Sequence, residues 1–395
     1  MPHIVLVTTS FPDEAFLPGQ EAAGTFVADF AEELAKHIRV ALLAPSSHNA
    51  LEHYNNNLTI HRFAVPSLPL SLLKASNPSH WWAIFKTLRA GKAALEKTVA
   101  TIQVDHIFAL WVLPSGYWAR RICQKRGIPY STWALGSDIW NLRRIPLIGN
   151  VLKTVLLDSR IRFADGLKLA EDVAAISRLD CRFLPSARKL PVTDAKRLSV
   201  SPPYRLAFLG RWHRNKGVDL LLDSLFLLTD EDWRSIESVR ICGGGPLLKS
   251  IKSAYAILKE NGRPISLGGY LNREEAAELL TWADYLLLPS RIESIPVVFS
   301  DAVQARCPII STPVGDMPRL LRDYQVGLLA DAITPNAFAK AIRRALGQAP
   351  ASFSSNLKIA ATKFDVKTIA SNFLELKVKE GEDFNHRNTL KYFED

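Results

Sequence analysis

Cysteine is scarce in this sequence. Its four copies, Cys123, Cys181, Cys242 and Cys307, are scattered, with no C-x-x-C. That excludes a disulfide framework and a cysteine-based zinc site, and it points to a reducing compartment. The nine histidines show no H-x-x-x-H or similar ligand spacing. No run of about 18 uncharged apolar residues occurs, so no segment reads as a spanning helix. The opening MPHIVLVTTSFPDE has no basic stretch ahead of its apolar run and reads as a first buried strand, not a signal peptide. Low-complexity tracts and short repeat periods are missing too. With 48% hydrophobic and 22% charged residues over 395 positions, what remains is an ordinary globular chain of two or three domains.

Charge is present in excess and unevenly. The net charge is +10. Residues 1–200 carry 24 Lys and Arg against 16 Asp and Glu, a net of +8, and the remainder carries 25 against 23, a net of +2. The excess lies between residues 60 and 200. Such asymmetry predicts an anionic partner: membrane lipid, nucleic acid or an anionic acceptor.

The first half alternates β-rich runs with helical patterns. HIVLVTTS, VALLAP, LTIHRFAV, HIFALWVL and PYSTWAL read as strands. TFVADFAEELAKHI places Phe26, Val27, Phe30, Leu34 and Ile38 on one helical face, and SGYWARRICQKRG reads as a helix ending at Gly127. The pattern breaks in the Pro- and Ser-rich stretch 185–204 and then restarts with RLAFLG, SVRICGG, PISLGGY, YLLLPS and PIIST as strands between helices. The expectation is an α/β chain with two similar domains in tandem, each a parallel sheet covered on both faces. Ligands of such sheets bind beyond the carboxyl ends of the strands, so functional residues are sought just after each strand.

Three such loops stand out in the second half. FLGRWHRNKG leaves a strand through Gly210 and offers Arg211, His213, Arg214 and Lys216, cations suited to a phosphorylated ligand. A solvated basic loop is the plainer alternative. ICGGGP sets Gly244 and Gly245 after another strand, where backbone can approach a ligand closely, although a tight turn explains it equally. YLLLPSRIESIPVVFSDAVQAR places Glu293 at a helix entrance and Asp301 about two turns further in. Carboxylates there suit the hydroxyl groups of a sugar. The plainer readings are a helix-start charge for Glu293 and a partly exposed helix residue for Asp301. TDEDW holds Asp230 and Asp232 in a D-x-D pattern, but in a polar stretch after a helix, which reads as a solvated charge run.

FLGRWHRNKG, GGGP, LGGYLNREEAAELLTWADYLLLPSRIES and FSDAVQARCPIISTPVGDMPRLL, in this order and spacing over residues 205–325, resemble the group 1 glycosyltransferases, also called glycosyltransferase family 4. SFPDEAFLPGQEAAGTFVADFAEELAKH and ALWVLPSGYWARRICQKRGIPYSTWALGSDIW are similar to that family's acceptor-side loops. The resemblance implies the GT-B fold, two Rossmann-like domains with the active site in the cleft between them. An acceptor-binding domain would span residues 1–190, with the linker at 185–204. A donor-binding domain would span 205–370, and a carboxyl-terminal helix at 371–395 would cross back to the first. It implies a nucleotide-sugar as co-substrate, with no cofactor or metal, and transfer with retention. Arg211 and Lys216 would hold the diphosphate and Glu293 the transferred sugar. Asp301 would reach the ribose, and Gly269 and Tyr270 would line the base. Gly210, Gly244, Gly245, Ser294, Ile295, Val297 and Val298 would complete the donor site. Gly24, Thr25, Gly136 and Asp138 would lie on the acceptor side.

The sequence departs from the family pattern in three places. The second acid is Asp301 and not Glu. The run after the first acid is Ser294-Ile295-Pro296, in which Pro296 has no N–H to donate. The position before GSD, often His in relatives, is Leu135. The expected activity is transfer to a glycan or lipid-linked acceptor. A nucleotide-sugar 2-epimerase of the same fold and a nucleotide-sugar-binding protein without turnover are the alternatives. Two basic and apolar stretches, around Trp81, Trp82, Ile84 and Phe85 and around Arg143, Arg144 and Lys153, fit a helix lying on an anionic membrane, or helices packed on the sheet with charged edges. The expected location is cytoplasmic, peripheral on the inner membrane face. Without a recognised module, nucleic acid is not an expected partner.

Overall fold

The computed structural model describes residues 2–13, 24–68, 70, 73, 77–192 and 197–376. The part of the expected carboxyl-terminal helix beyond residue 376, most of the loop before Gly24, and linker residues 193–196 lie outside them.

The first sheet comprises β1 (His3–Val7), β2 (Arg39–Ser46), β3 (Ala50–His53), β4 (Leu58–Ala64), β5 (His106–Leu110), β6 (Tyr130–Ala134), β7 (Arg162–Ala164) and β8 (Arg182–Phe183). Their order is β3-β4-β2-β1-β5-β6-β7-β8, parallel except for the β3–β4 pair. β1 and β5 are apolar along nearly their whole length because both faces are covered. Ile4 and Leu6 point into one core with Phe30 and Phe108, and Val5 and Val7 into the other with Leu95 and Trp118. Helices α1 (Thr25–Ala35), α2 (Trp81–Thr101), α3 (Tyr117–Arg126), α4 (Ser137–Trp140), α5 (Pro146–Asp158) and α6 (Leu167–Ser177) supply the cover. Gly127, at φ 72°, ends α3 in the left-handed conformation that glycine adopts without strain.

The second sheet comprises β9 (Tyr204–Leu209), β10 (Ile236–Cys242), β11 (Ile265–Gly268), β12 (Tyr285–Leu288), β13 (Ile309–Ser311) and β14 (Gly327–Leu329), in the order β11-β10-β9-β12-β13-β14, all parallel. Around it pack α7 (Val218–Phe226), α8 (Asp230–Arg234), α9 (Leu248–Glu260), α10 (Arg273–Trp282), α11 (Val297–Gln304), α12 (Met317–Tyr324), α13 (Pro335–Leu346) and α14 (Ser354–Lys363). A last helix over 366–376 returns to the first sheet. Its Val366, Ile369, Ala370 and Phe373 lie in the core of the first domain, and the Phe373 ring sits 4.4 Å from that of Phe108.

Strand order reverses between β1 and β5 in the first sheet and between β9 and β12 in the second. Ligands of open parallel sheets bind where the carboxyl ends diverge at such points. The loops after β9 and β12 carry Arg211, Lys216 and Glu293. No described helix is long and apolar enough to cross a membrane.

Candidate active site

The loop leaving β9 is laced to the loop leaving β12. Gly217 has φ 72°, and a Cβ there would collide with the Pro289 carbonyl, so only glycine permits this approach. Arg291 N–H donates to the Asn215 carbonyl (2.7 Å), and its guanidinium reaches the Arg214 carbonyl (2.8 Å) and Asp219 (2.7 Å). This lacing sets Lys216 Nζ against Glu293 Oε1 in an ion pair between half-buried side chains. Arg211, in the same loop, is exposed and has no ion-pair partner among the described residues. His213 Nδ1 accepts the Asn215 N–H and caps the turn Arg214–Lys216, which is a local structural task.

The glycine loop after β10 folds against the same segment. Gly243 and Gly245 have φ of 145° and 147°, and Gly245 lies on the Trp212 backbone. The Gly244 carbonyl accepts the Trp212 N–H at 2.7 Å. A Cβ on Gly244 would stand 2.7 Å from the Tyr270 ring, and Gly269 faces open space. Gly244 and Gly245 thus pack on the loop that carries Gly210 and Arg211, with Tyr270 over Gly244.

Ser294 and Ile295 follow Glu293, and Pro296 precedes α11. Val297 and Val298 therefore supply the first N–H groups of that helix, which have no partners within it. Ile295 is buried in the core. The structure does not set Asp301 beside these groups as an open carboxylate. Asp301 is fully buried, and Arg188 of the linker holds both its oxygens, Nε at 3.0 Å from each and Nη2 at 2.6 Å from Oδ2. Burial raises its carboxyl above the ordinary range, against the pull of Arg188. Gln304 on the next turn also grips the linker, its Nε2 donating to the Arg188 carbonyl at 3.0 Å.

Across the cleft, Gly24 (φ 84°) opens α1 at Thr25, with Ser10 backbone so close that no Cβ fits. Gly136 (φ 97°) precedes α4. Asp138 is 3% exposed, and its oxygens accept the N–H groups of Val112 (2.6 Å) and Leu135 (3.2 Å). It therefore ties together the loops after β5 and β6. Burial pushes its carboxyl up to about 6, although these N–H groups pull the other way.

Several residues that the sequence did not single out join the two halves. Asp316, at the start of α12, accepts the N–H groups of Leu167 (2.6 Å) and Lys168 (2.9 Å) and so caps α6 of the first domain. Arg319 pairs with Glu171 at 2.6 Å on the rim. Asp29 on α1 accepts Arg273 Nη1 (2.9 Å) from α10 and the Lys189 N–H (2.8 Å) from the linker. Asp165 follows β7 and lies buried among Asp138, Asp316 and Glu293. The rule that chemistry follows strands would have found it, but the three-residue β7 is hidden in the apolar and basic run that the sequence reading took for helix.

Both aspartates of TDEDW are engaged, Asp230 with Arg263 (2.5 Å) and Asp232 with Arg343 (2.8 Å) and with the Thr229 N–H of its own helix cap. They lie on α8, away from the carboxyl ends of the strands.

Residues 203–348 match the family model for group 1 glycosyl transferases, and residues 19–157 match that for glycosyl transferase 4-like domains. The chain is 29% identical over 252 residues to TuaC of Bacillus subtilis, described as a teichuronic acid biosynthesis glycosyltransferase. The aligned part is 61% of this chain and 61% of TuaC, so the chain spans less than two thirds of that relative's length. In fold it is similar to sucrose-phosphate synthase of Thermosynechococcus elongatus, with a TM-score of 0.72, 18% identity, and coverage of 96% of this chain and 99% of that one. It is also similar to Anabaena HepE in complex with UDP, with a TM-score of 0.69, 15% identity, and coverage of 96% and 100%. The architecture shared with these structures is GT-B.

Proposed function

Because the chain belongs to the group 1 glycosyltransferases, we propose that it transfers a sugar from a nucleotide-sugar to a hydroxyl of a glycan or lipid-linked acceptor. The observation that carries this reading is the Lys216–Glu293 ion pair at the switch point of the second sheet, with the open cation of Arg211 beside it. A diphosphate entering there meets two cations. It competes with Glu293 for Lys216, and the carboxylate it displaces is then available to a sugar hydroxyl. In the reaction the bond from the anomeric carbon to the diphosphate oxygen breaks and a bond to the acceptor oxygen forms. The acceptor proton passes to the departing diphosphate on the same face, which retains configuration. Arg211 and Lys216 neutralise the charge that develops on the leaving group, the task that a metal performs elsewhere. The family match and the fold shared with a UDP complex support a nucleotide donor.

The reading includes an anionic membrane face in the cytoplasm as the place of work. Trp81, Trp82 and Phe85 on the first turns of α2 are 59%, 64% and 59% exposed, and Leu147 on α5 is 82% exposed. Lys86 and Arg89 follow on α2 and Arg143 and Lys153 flank Leu147 in sequence, with no acid between residues 81 and 95 or between 142 and 157. Both helices begin at the carboxyl-end rim of the first sheet, beside the cleft. An apolar rim with basic flanks suits an interface. Flotation with anionic liposomes at low salt tests this part, and protein left unbound refutes it.

For the central claim, a thermal-shift screen of UDP-, GDP- and ADP-sugars is expected to show one stabilising set, and the matching donor to be slowly cleaved without acceptor. Stabilisation without any cleavage would mark a binding protein instead. No stabilisation by any of them would overturn the reading.

A further inference from the structure

Asp165 is a cleft carboxyl that the reaction outlined above leaves unused. It is 8% exposed, stands at the carboxyl end of β7, and takes a hydrogen bond from Ser186. Its Oδ1 has no partner, although it is buried. The neighbouring Gly166 lies so close to the second domain that a Cβ there would collide with Ser294 Oγ and stand 2.7 Å from Asp316 Oδ2. Ser294 Oγ is also buried without a partner, and Ser294 directly follows Glu293. Two unsatisfied polar atoms, one from each domain, thus flank one contact. A buried polar group without a partner is costly and calls for an explanation.

The chemistry of the surroundings selects the ligand. An anion is repelled, because Asp138, Asp316 and Glu293 all act on Asp165. A cation finds few free oxygens. Asp138 is held by the N–H groups of Val112 and Leu135, Asp316 by those of Leu167 and Lys168, and Glu293 by Lys216. Burial, reinforced by these neighbours, raises the Asp165 carboxyl well above the ordinary range, which favours its protonated form, a group that both donates and accepts. A hydroxyl does the same. We propose that Asp165 is a specificity-determining residue that, together with the Ser294 hydroxyl, binds a hydroxyl of the transferred sugar beside Glu293. The pair lies on the contact between domains, so separation of the domains uncovers it and closure brings it onto the sugar. A carboxyl from the first domain thereby supplies a sugar contact in a chain that has Leu135 before GSD.

This inference rests on the nucleotide-sugar reading, and one experiment separates the two. The full chain and its Asp165→Ala and Asp165→Asn variants are titrated with UDP and UDP-glucose, and with GDP and GDP-mannose, after melting curves confirm that each is folded. The expected result is that Asp165→Ala keeps the affinity for the nucleoside diphosphate within about twofold and loses about ten- to hundredfold for the nucleotide-sugar, the range of one to two hydrogen bonds. Asp165→Asn, which also donates and accepts, is expected to recover most of that loss. Equal loss for diphosphate and nucleotide-sugar, or loss for neither, overturns the role of Asp165 and leaves the donor reading standing. If the wild-type chain binds none of these four and no ADP-sugar either, the donor reading falls, and this inference falls with it.

Discussion

Replacing Asp301 with Asn tests whether the second acid serves the fold or the donor. The side chain is 0% exposed, Arg188 is 15% exposed, and three contacts of 2.6–3.0 Å join them. Removing one charge of a buried pair leaves the other uncompensated, which costs about 3–5 kcal/mol. Arg188 lies on the linker between the domains, so the loss falls on the joint that sets their relation. Urea unfolding should therefore show Asp301→Asn less stable by about 3–5 kcal/mol. The paired replacement Arg188→Met with Asp301→Leu, which leaves no stranded charge, should recover most of it. Nucleoside diphosphate affinity, measured by calorimetry below the unfolding transition, should stay within a few-fold of wild type. A variant of wild-type stability that lost its nucleotide affinity would refute the structural assignment and restore Asp301 to the ribose.

Three further outcomes are expected. Lys216→Ala and Arg211→Ala should each reduce transfer by orders of magnitude while leaving the fold intact, and wild-type-like rates in both would sink the diphosphate assignment. Asp138 binds its proton more tightly folded, at about 6, than unfolded, at the ordinary 3.8, so its contribution to stability is lost as pH rises from about 4 through about 6. The loss approaches ~3 kcal/mol by the usual linkage. Asp138→Asn, which cannot ionise, should gain on wild type across that window, and parallel urea-stability profiles would contradict this. Asp316→Ala strands two N–H groups at the start of α6 and should destabilise the closed arrangement by about 2–4 kcal/mol. Small-angle scattering should show a larger radius of gyration, and an unchanged radius would count against Asp316 as an interdomain tie.

Long apolar runs made the fold legible. HIVLV, HIFAL and YLLLP can hardly be anything but central strands of a parallel sheet, and each is found there. Four short strands were missed: β3 because it is half exposed on an edge, β7 and β8 because basic residues interrupt them, and β14 because helical patterns surround it. At the candidate site, residues brought together by local loops were readable from spacing, as with Lys216 and Glu293 after their strands. Residues that act across the domain gap were not. Asp316 meets Leu167 over 149 positions and Arg273 meets Asp29 over 244, and no local pattern encodes such pairs. Asp301 is a different case: the Arg188 that holds it sits 113 positions earlier, in a stretch that read only as linker.

The buried acids of the cleft divide by what compensates each of them, and the division bears on motion. Asp138 is answered within its own domain by backbone N–H groups, so it survives any separation of the domains. Glu293 is answered within the second domain by Lys216 and is likewise independent of closure. Asp316 is answered across the gap by α6, and Asp29 by Arg273 across the gap as well as by the Lys189 N–H of the linker. Opening the cleft breaks the ties of these last two across the gap and uncovers Asp165 to water at the same time. Closure is therefore favoured by the ties of Asp316 and Asp29 and opposed by the unsatisfied Asp165 and Ser294. A sugar hydroxyl placed between those two atoms removes the opposition without touching the ties. It follows that the sugar, more than the nucleotide, should set the closed population. A nucleoside diphosphate alone should leave the scattering profile near that of the free chain, while the nucleotide-sugar shifts it. Equal compaction by the two ligands would break this chain of reasoning at the Asp165 contact.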